Sequence, residues 1–297
     1  MLASTATTSP SVMQQKAFAT LERTLVVRSD AAEILDYFCA AYRRTIVPLP
    51  DPLDATCDSG SILARNGADW LHFNGESVEF PDERPTTNFR LAFYGSSKLI
   101  RLSFRQNTTW RSLYAAALRI GNCAVLISAQ SGIGKTTLAL ELLTRGARFY
   151  SDEFAFIRRA DRFVSGLPRA LLIRERTLSV FHHPRLRQVC EASVPRTQHG
   201  DRVWDNIDAG DVFGEDVFAE PAPLTAAFML ERSSTNTTTE QVSPAVAAVD
   251  FTKRLNAHTE GFERFVDTAE MLAGIPCYRI VASTPQHGAD AIEALLP

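Results

Sequence analysis

The hydrophobic pattern around residues 123–146 predicts a strand, a tight turn and a helix. Residues 123–128, Cys-Ala-Val-Leu-Ile-Ser, form a nearly continuous apolar run. Such a run is typical of a strand that is buried on both faces of a parallel or mixed sheet. After a glycine-containing turn, Leu138 and Leu142 recur at four-residue spacing, which predicts a helix. The helix is predicted to end at Gly146, because glycine readily adopts the left-handed conformation of a C-cap.

The residues before this segment predict a tail and a small α+β domain. Residues 1–20 are small and polar, with neither a secretory-signal pattern nor an apolar run that could span a bilayer, and we predict a disordered tail there. Residues 21–110 predict the small domain, with a helix at 31–42 that follows Asp30 as its N-cap. Short strands are expected at 25–27, 61–65, 70–74 and 77–80, with Asn74-Gly75 as a hairpin turn.

Residues 111–297 predict a larger α/β domain that contains the central strand, turn and helix. Its further strands are expected at 148–150, 226–230, 246–249 and 277–281, and its further helices at 261–272 and 288–296. The predicted fold class of the chain is therefore α/β, with the small α+β domain at the N-terminus.

The overall composition excludes several classes of protein. The 297 residues are 45% hydrophobic and 22% charged, as in an ordinary soluble protein. The net charge of −3 gives no global reason to expect a nucleic-acid or membrane partner. The five cysteines are scattered, odd in number and without a C-x-x-C pair. This usage argues against a disulfide framework or a zinc site and predicts a cytoplasmic protein.

The turn between the predicted strand and helix has the composition of a nucleotide-phosphate loop. It consists of Ser131, Gly132, Ile133, Gly134, Lys135, Thr136 and Thr137. Small residues let backbone N–H groups point at phosphate oxygens, Lys135 adds a cation beside the β and γ phosphates, and the Thr136 hydroxyl is suited to Mg²⁺. The chain departs from the usual pattern G-x-x-x-x-G-K-[ST] in one position, since Ala129 replaces the first glycine.

An acidic pair follows this loop. The strand predicted at 148–150 delivers Asp152 and Glu153 to its end, where carboxylates can reach a metal ion and a reacting hydroxyl. The alternative interpretation is a chance Gly/Ser turn before an amphipathic helix. The order of strand, loop, helix and acidic pair favours the nucleotide site.

These features resemble the HPr kinase/phosphorylase family and the wider group of HPr-kinase-like serine kinases. The phosphate loop of that family has the form G-D-S-G-x-G-K-S and is followed by a helix ending in R-G and then by an acidic pair. This chain has A-Q-S-G-I-G-K-T at 129–136, then Arg145-Gly146, then Asp152-Glu153. The resemblance implies the phosphate-loop fold that the family shares with ATP-dependent phosphoenolpyruvate carboxykinase.

Carried over by position, the resemblance implies a role for each of these residues. Lys135 would bind phosphate, Thr136 and Glu153 would serve Mg²⁺, and Asp152 would be the catalytic acid/base. The implied reaction is transfer of the γ-phosphoryl group of ATP to a serine hydroxyl of a protein or peptide. Related kinases of peptide natural-product clusters, including those that modify lasso peptides, extend the implied acceptors to a ribosomal precursor peptide.

Tyr114 stands where the family places a histidine. The chain reads Ser-Leu-Tyr-Ala at 112–115, against S-L-H-G in the family, and this departure bears on the reverse, phosphorylase reaction. We interpret Tyr114 as an aromatic side chain packed against the sheet, because a phenol with a pKa of about 10 is a poor base at neutral pH.

A basic segment follows the acidic pair, with ten arginines against four acidic residues between positions 158 and 202. Such a cluster is either a solvated face or a site for triphosphate and transition-state charge. Arg169, which follows a Gly-Leu-Pro turn, and Arg174 are the candidate catalytic residues of this segment, because that turn could aim them back at the acidic pair. His182 and His183 are adjacent and have no third ligand nearby, so we expect a surface turn there rather than a metal site.

Two alternatives to a peptide kinase stay open. A regulatory protein that only binds ATP or GTP would keep Lys135 and Thr136 without needing Asp152. A small-molecule kinase would release ADP in response to metabolites rather than to a peptide. ATP and GTP stay open as the nucleotide, and a homo-oligomer is an open alternative for the assembly.

Overall fold

The computed structural model describes residues 13–51, 56–64, 70–78, 87–105, 107–198, 200–233, 235–253 and 261–297. Contacts within the chain divide it into two compact units, residues 1–105 and 106–297. We expected this boundary after residue 110.

The first unit is built on one sheet. Its strands are β1 (Gln14–Thr20), β2 (Arg23–Ser29), β3 (Ile46–Val47), β4 (Cys57–Ile62), β5 (Leu71–Phe73) and β6 (Glu76–Ser77). Within the described residues the strand order is β3-β1-β2-β4-β5-β6, with β2 and β4 parallel. The Asn74-Gly75 turn between β5 and β6 is confirmed, since both residues have a positive φ, of 50° and 86°.

Strand β1 corrects the prediction of a disordered tail over residues 1–20. Residues 14–20 pair along their whole length with β2 in an antiparallel ladder. Ala17 and Phe18 are buried, and Phe18 lies opposite Leu25. Two buried apolar residues are too few to predict a strand from sequence, and the partner strand supplies the remaining stabilisation through its backbone hydrogen bonds. The rest of the predicted tail, residues 1–12, lies outside the described part of the chain.

Two helices complete the described part of this unit, α1 (Ala32–Ala41) and α2 (Asn88–Arg105). The first was predicted, although Asp30 is not its cap: the Asp30 Oδ1 instead accepts a hydrogen bond from the Ala64 N–H at 2.6 Å. The second was missed. Its centre reads Gly-Ser-Ser at 95–97, residues with weaker helix propensity than alanine or leucine, and burial of side chains such as Leu99 and Ile100 stabilises the helix nevertheless.

The second unit is an α/β assembly. Its strands are β7 (Trp110–Tyr114), β8 (Ala116–Ile120), β9 (Cys123–Ala129), β10 (Arg148–Ser151), β11 (Phe154–Arg158), β12 (Phe163–Gly166), β13 (Leu171–Arg174), β14 (Arg196–Gln198), β15 (Asp201–Ile207), β16 (Ala222–Arg232), β17 (Thr238–Val242) and β18 (Cys277–Ala282). Its helices are α3 (Lys135–Thr144), α4 (Glu175–Val180), α5 (Pro184–Glu191), α6 (Ala209–Phe213), α7 (Pro244–Lys253), α8 (Gly261–Leu272) and α9 (Pro285–Leu295).

The large sheet of this unit has β9 in its interior. β9 pairs with β8 on one side in an antiparallel ladder and with β16 on the other side in a parallel ladder. One face of the sheet packs on α3 and α9, through residues such as Leu138 and Ile292, and the other face packs on α7 and α8, through Phe251 and Leu272. A smaller sheet has the order β13-β15-β14 in the described residues. The predicted mixed α/β architecture is confirmed.

The strand predicted at 246–249 is wrong, because these residues belong to α7. Ala247, Ala248 and Phe251 are buried while Val246 and Val249 are exposed. Burial at spacings of three and four residues is the periodicity of a helix, and a four-residue apolar run does not distinguish the two structures. Among the helices that the structure describes, none is both long and apolar enough to cross a membrane.

Candidate functional site

The loop between β9 and α3 has two glycines in left-handed backbone conformations, which are compatible with the predicted phosphate loop. Gly132 and Gly134 have φ angles of 85° and 125°, which side chains other than glycine rarely adopt. Gly134 is the N-cap of α3 and makes no side-chain cap, so the first amides of the helix remain available to an anion. The loop and the first turn of α3 contain all seven predicted phosphate-binding residues, Ser131, Gly132, Ile133, Gly134, Lys135, Thr136 and Thr137.

Lys135 is held between an aromatic ring and a carboxylate. Its Nζ lies 5.1 Å from the centroid of the Tyr114 ring, within the range of a cation–π contact. Tyr114 also packs edge-on against Phe154, as expected for an aromatic packed against the sheet. Burial lowers the pKa of the Lys135 ammonium, and the Asp152 carboxylate opposes that shift. Tyr114 therefore contacts the predicted phosphate cation directly, which its position in the sequence alone did not establish.

The turn after β10 brings Asp152 to the first turn of α3. The buried Ser151 hydroxyl accepts hydrogen bonds from the N–H groups of Glu153 and Phe154, at 3.2 and 3.0 Å, and so shapes the turn that carries both acids. The Thr136 hydroxyl donates to the Asp152 Oδ2 at 3.2 Å. Asp152 is only 7% exposed. A hydroxyl that donates in this way keeps its oxygen lone pairs free for a cation.

The second acid, Glu153, is paired with Arg169. The Arg169 side chain is only 4% exposed, and its Nη1 donates to the Glu153 Oε2. Gly166, at the end of β12, packs directly on the backbone of Tyr150 in β10, and a Cβ at that position would overlap it. The structure thus places Arg169 beside Glu153 of the acidic pair. This position agrees with the prediction from the Gly-Leu-Pro turn before Arg169.

Arg174 does not join this group. It ends β13, and its Nη1 forms an ion pair with the Asp201 Oδ2 at 3.7 Å. The expectation that Arg174 points at the acidic pair is therefore not met. The reason lies in the antiparallel pairing of β13 with β15, which places Arg174 opposite Val203 near the start of that strand.

Two residues near the site were missed by sequence reasoning. Asp205 on β15 is buried, which raises the pKa of its carboxyl, while Arg196 and Arg169 act in the opposite direction. Arg176 on α4 places its guanidinium beside Gly132 of the phosphate loop. No local pattern separates Arg176 from the other arginines of the basic segment. Asp205 begins an acidic stretch, residues 205–220, which has no Lys or Arg and is typical of a solvated loop.

The adjacent histidines are not part of the site. The His183 Nδ1 accepts a hydrogen bond from the Leu186 N–H at 3.1 Å and caps the N-terminus of α5. Its ring stacks on Phe181, and burial lowers its pKa. The predicted turn before Pro184 is therefore a helix cap.

The arrangement of donors fits a magnesium ion that is shared with a nucleotide. Among the described residues, no group of three His, Cys, Asp or Glu side chains could hold a metal ion alone. Mg²⁺ usually binds one or two carboxylates together with substrate phosphates and waters. The bonds from Thr136 and Arg169 engage one oxygen of each acid, and the Asp152 Oδ1 and Glu153 Oε1 make no hydrogen bond within the described part of the chain.

Comparisons with known proteins give a distant structural relationship. Neither the protein-family models nor the curated proteins contain a match to this chain. Among solved structures, the chain is similar to the Hpr(Ser) kinase/phosphatase from Coxiella burnetii, with 16% sequence identity and a TM-score of 0.32. The similarity covers 62% of this chain and 93% of that one. A relationship at this level carries no functional argument, so the case for a function rests on the residues of the site.

Proposed function

We propose that this chain transfers the γ-phosphoryl group of ATP to a serine hydroxyl of a protein or peptide, with Mg²⁺ as cofactor. The observation that carries the proposal is the hydrogen bond between Thr136 and Asp152. This bond joins the first turn of the phosphate-loop helix to the acidic pair at 3.2 Å. A phosphate-binding element and a candidate base at this separation are what phosphoryl transfer from a bound triphosphate requires.

Each residue then has a defined role. The loop amides and Lys135 hold the β and γ phosphates, and Asp152 accepts the proton of the acceptor hydroxyl as that oxygen bonds to phosphorus and ADP leaves. Thr136 and Glu153 would hold Mg²⁺, which neutralises charge on the phosphates. Arg169 is a positioning residue, because a metal-binding carboxylate needs a partner that fixes its orientation.

The resemblance to HPr-kinase-like proteins supports serine as the acceptor and a ribosomal peptide precursor as its source. The surroundings of Lys135 support a phosphate-binding cation. A regulatory nucleotide site would not need Asp152 as a base, so the effect of replacing Asp152 on the chemical step separates the two functions.

The experiment that tests this proposal compares two isosteric substitutions of the acids. Under single-turnover conditions with radiolabelled ATP and a library of serine peptides, Asp152→Asn should lower transfer about a hundredfold or more, because an amide cannot accept the proton. Its affinity for ATP should stay near that of the parent chain. Glu153→Gln should instead raise the Mg²⁺ concentration that gives the half-maximal rate.

The matched control is Asp161→Asn, which removes an exposed carboxylate paired with Arg158 and should leave transfer unchanged. An Asp152→Asn variant with an unchanged chemical step would contradict the base assignment and favour a regulatory nucleotide site.

A further inference from the structure

Arg176 lies over the phosphate loop. A Cβ built at Gly132 would be 3.0 Å from the Arg176 Nη2 and 3.6 Å from its Nη1. Both terminal nitrogens of the guanidinium therefore face the glycine that begins the left-handed part of the loop. The φ of Gly132, 85°, already disfavours a side chain there, and the guanidinium occupies the space that such a side chain would enter.

The charge of Arg176 is not neutralised by a neighbouring acid. Arginines close to it in the fold have carboxylate partners: Arg174 pairs with Asp201, and Arg202 pairs with Glu175. For Arg176 the described part of the chain provides no such partner. An unpaired guanidinium beside a cradle of backbone amides is suited to an anion that both can bind.

The helix α4, which carries Arg176, is fixed by buried side chains and by a hydrogen bond to α5. Thr177 and Leu178, the next two residues of α4, are buried. The Leu178 carbonyl accepts a hydrogen bond from the Arg187 Nη2 of α5 at 3.1 Å, so that α4 is tied to α5. Arg176 is therefore presented to the loop by a fixed backbone, and only its side chain has to adjust to a ligand.

We propose that Arg176 is a second phosphate-binding cation, which contacts the terminal phosphates of a bound nucleoside triphosphate together with Lys135. The proposal deepens the proposed function and rests on it only in taking the loop as a phosphate site. Lysine is a point charge, whereas the planar guanidinium can donate to two phosphate oxygens at once. Lys135 and Arg176 would both stabilise the negative charge that develops on the transferring phosphoryl group.

The test is equilibrium binding of two probes to the full chain, ATP with Mg²⁺ and inorganic tripolyphosphate, which lacks the nucleoside. Arg176→Ala should weaken both probes about tenfold, the scale of one lost charge-assisted hydrogen bond. Arg176→Lys should recover part of the lost affinity, since lysine restores the positive charge but not the two parallel N–H donors of the guanidinium. AMP, which lacks the terminal phosphates, should bind to the parent and to Arg176→Ala with the same affinity.

The matched control is Arg202→Ala, which removes an exposed arginine from the same region and should bind both probes like the parent. Circular dichroism and the melting temperature check that each variant is folded, and Arg176→Gln offers a second neutral side chain. If Arg176→Ala and Arg176→Gln bind ATP and tripolyphosphate like the parent while Lys135→Ala does not, the proposal for Arg176 is overturned and the phosphate site stands. If the parent binds both probes but transfers no phosphate, and Arg176→Ala still binds them more weakly, the kinase reaction alone is overturned.

Discussion

At the scale of single residues, the neighbours of Lys135 shift the pKa of its ammonium in opposite directions. Burial lowers the pKa of its ammonium, while the nearby Asp152 carboxylate raises it. The face of the Tyr114 ring also favours the charged form. Under the proposed function, a bound triphosphate would add negative charge at the same place and so oppose the lowering of the pKa by burial. In the proposed site, the nucleotide would therefore stabilise the charged state of Lys135 that binds it.

The role of Tyr114 can be tested by separating its ring from its hydroxyl. Tyr114→Phe should keep ATP affinity and transfer within about twofold of the parent, because the ring makes the contact with Lys135. Tyr114→Ala should weaken ATP binding several-fold, which corresponds to about 0.5–2 kcal/mol for a lost cation–π contact. Transfer abolished in Tyr114→Phe would show instead that the phenol takes part in the chemistry. Binding titrations and initial rates on the same preparations give both results.

At the scale of elements, α3 is fixed at both of its ends. Its N-terminus carries the phosphate loop, and Arg145 at its C-terminus links it to α9. The Arg145 guanidinium contacts three carboxylates, those of Glu141 at 3.0 Å, Asp290 at 2.7 Å and Glu293 at 2.9 Å. These bonds raise the pKa of Arg145, and a cation at the end of a helix also interacts favourably with the helix dipole. Arg145 thus fixes the C-terminal end of α3, the helix that follows the predicted phosphate loop.

Arg145→Ala should lower the free energy of unfolding by about 1–2 kcal/mol. The side chain is 25% exposed, so each ion pair is worth less than a buried one, but three carboxylates are left facing one another when it is removed. This loss of unfolding free energy should be smaller at 1 M salt, because charges are then screened over roughly 3 Å. Urea denaturation measures it, with Arg148→Ala, an exposed arginine nearby, as the control. Equal stability of the two variants would contradict the account.

At the scale of the molecule, local signals predicted the strand β9, the helix α3 and the place of the acidic pair. These features depend on short-range patterns: an apolar run, a glycine turn, four-residue spacing. The features that were missed depend on distant partners. Strand β1 forms because β2 lies beside it. Arg174 lies away from the acidic pair because β13 pairs with β15, and no single residue reveals that pairing.

The central claim is that the sheet and helices of the second unit assemble a site for phosphoryl transfer. Incubation of the full chain with radiolabelled ATP, Mg²⁺ and a peptide library with a fixed central serine tests it most directly. The account predicts label on the serine peptides, none on the same library with alanine at that position, and none with Lys135→Ala. A parent chain that binds ATP but labels no serine peptide, or a Lys135→Ala variant that labels them at the parent rate, would contradict it.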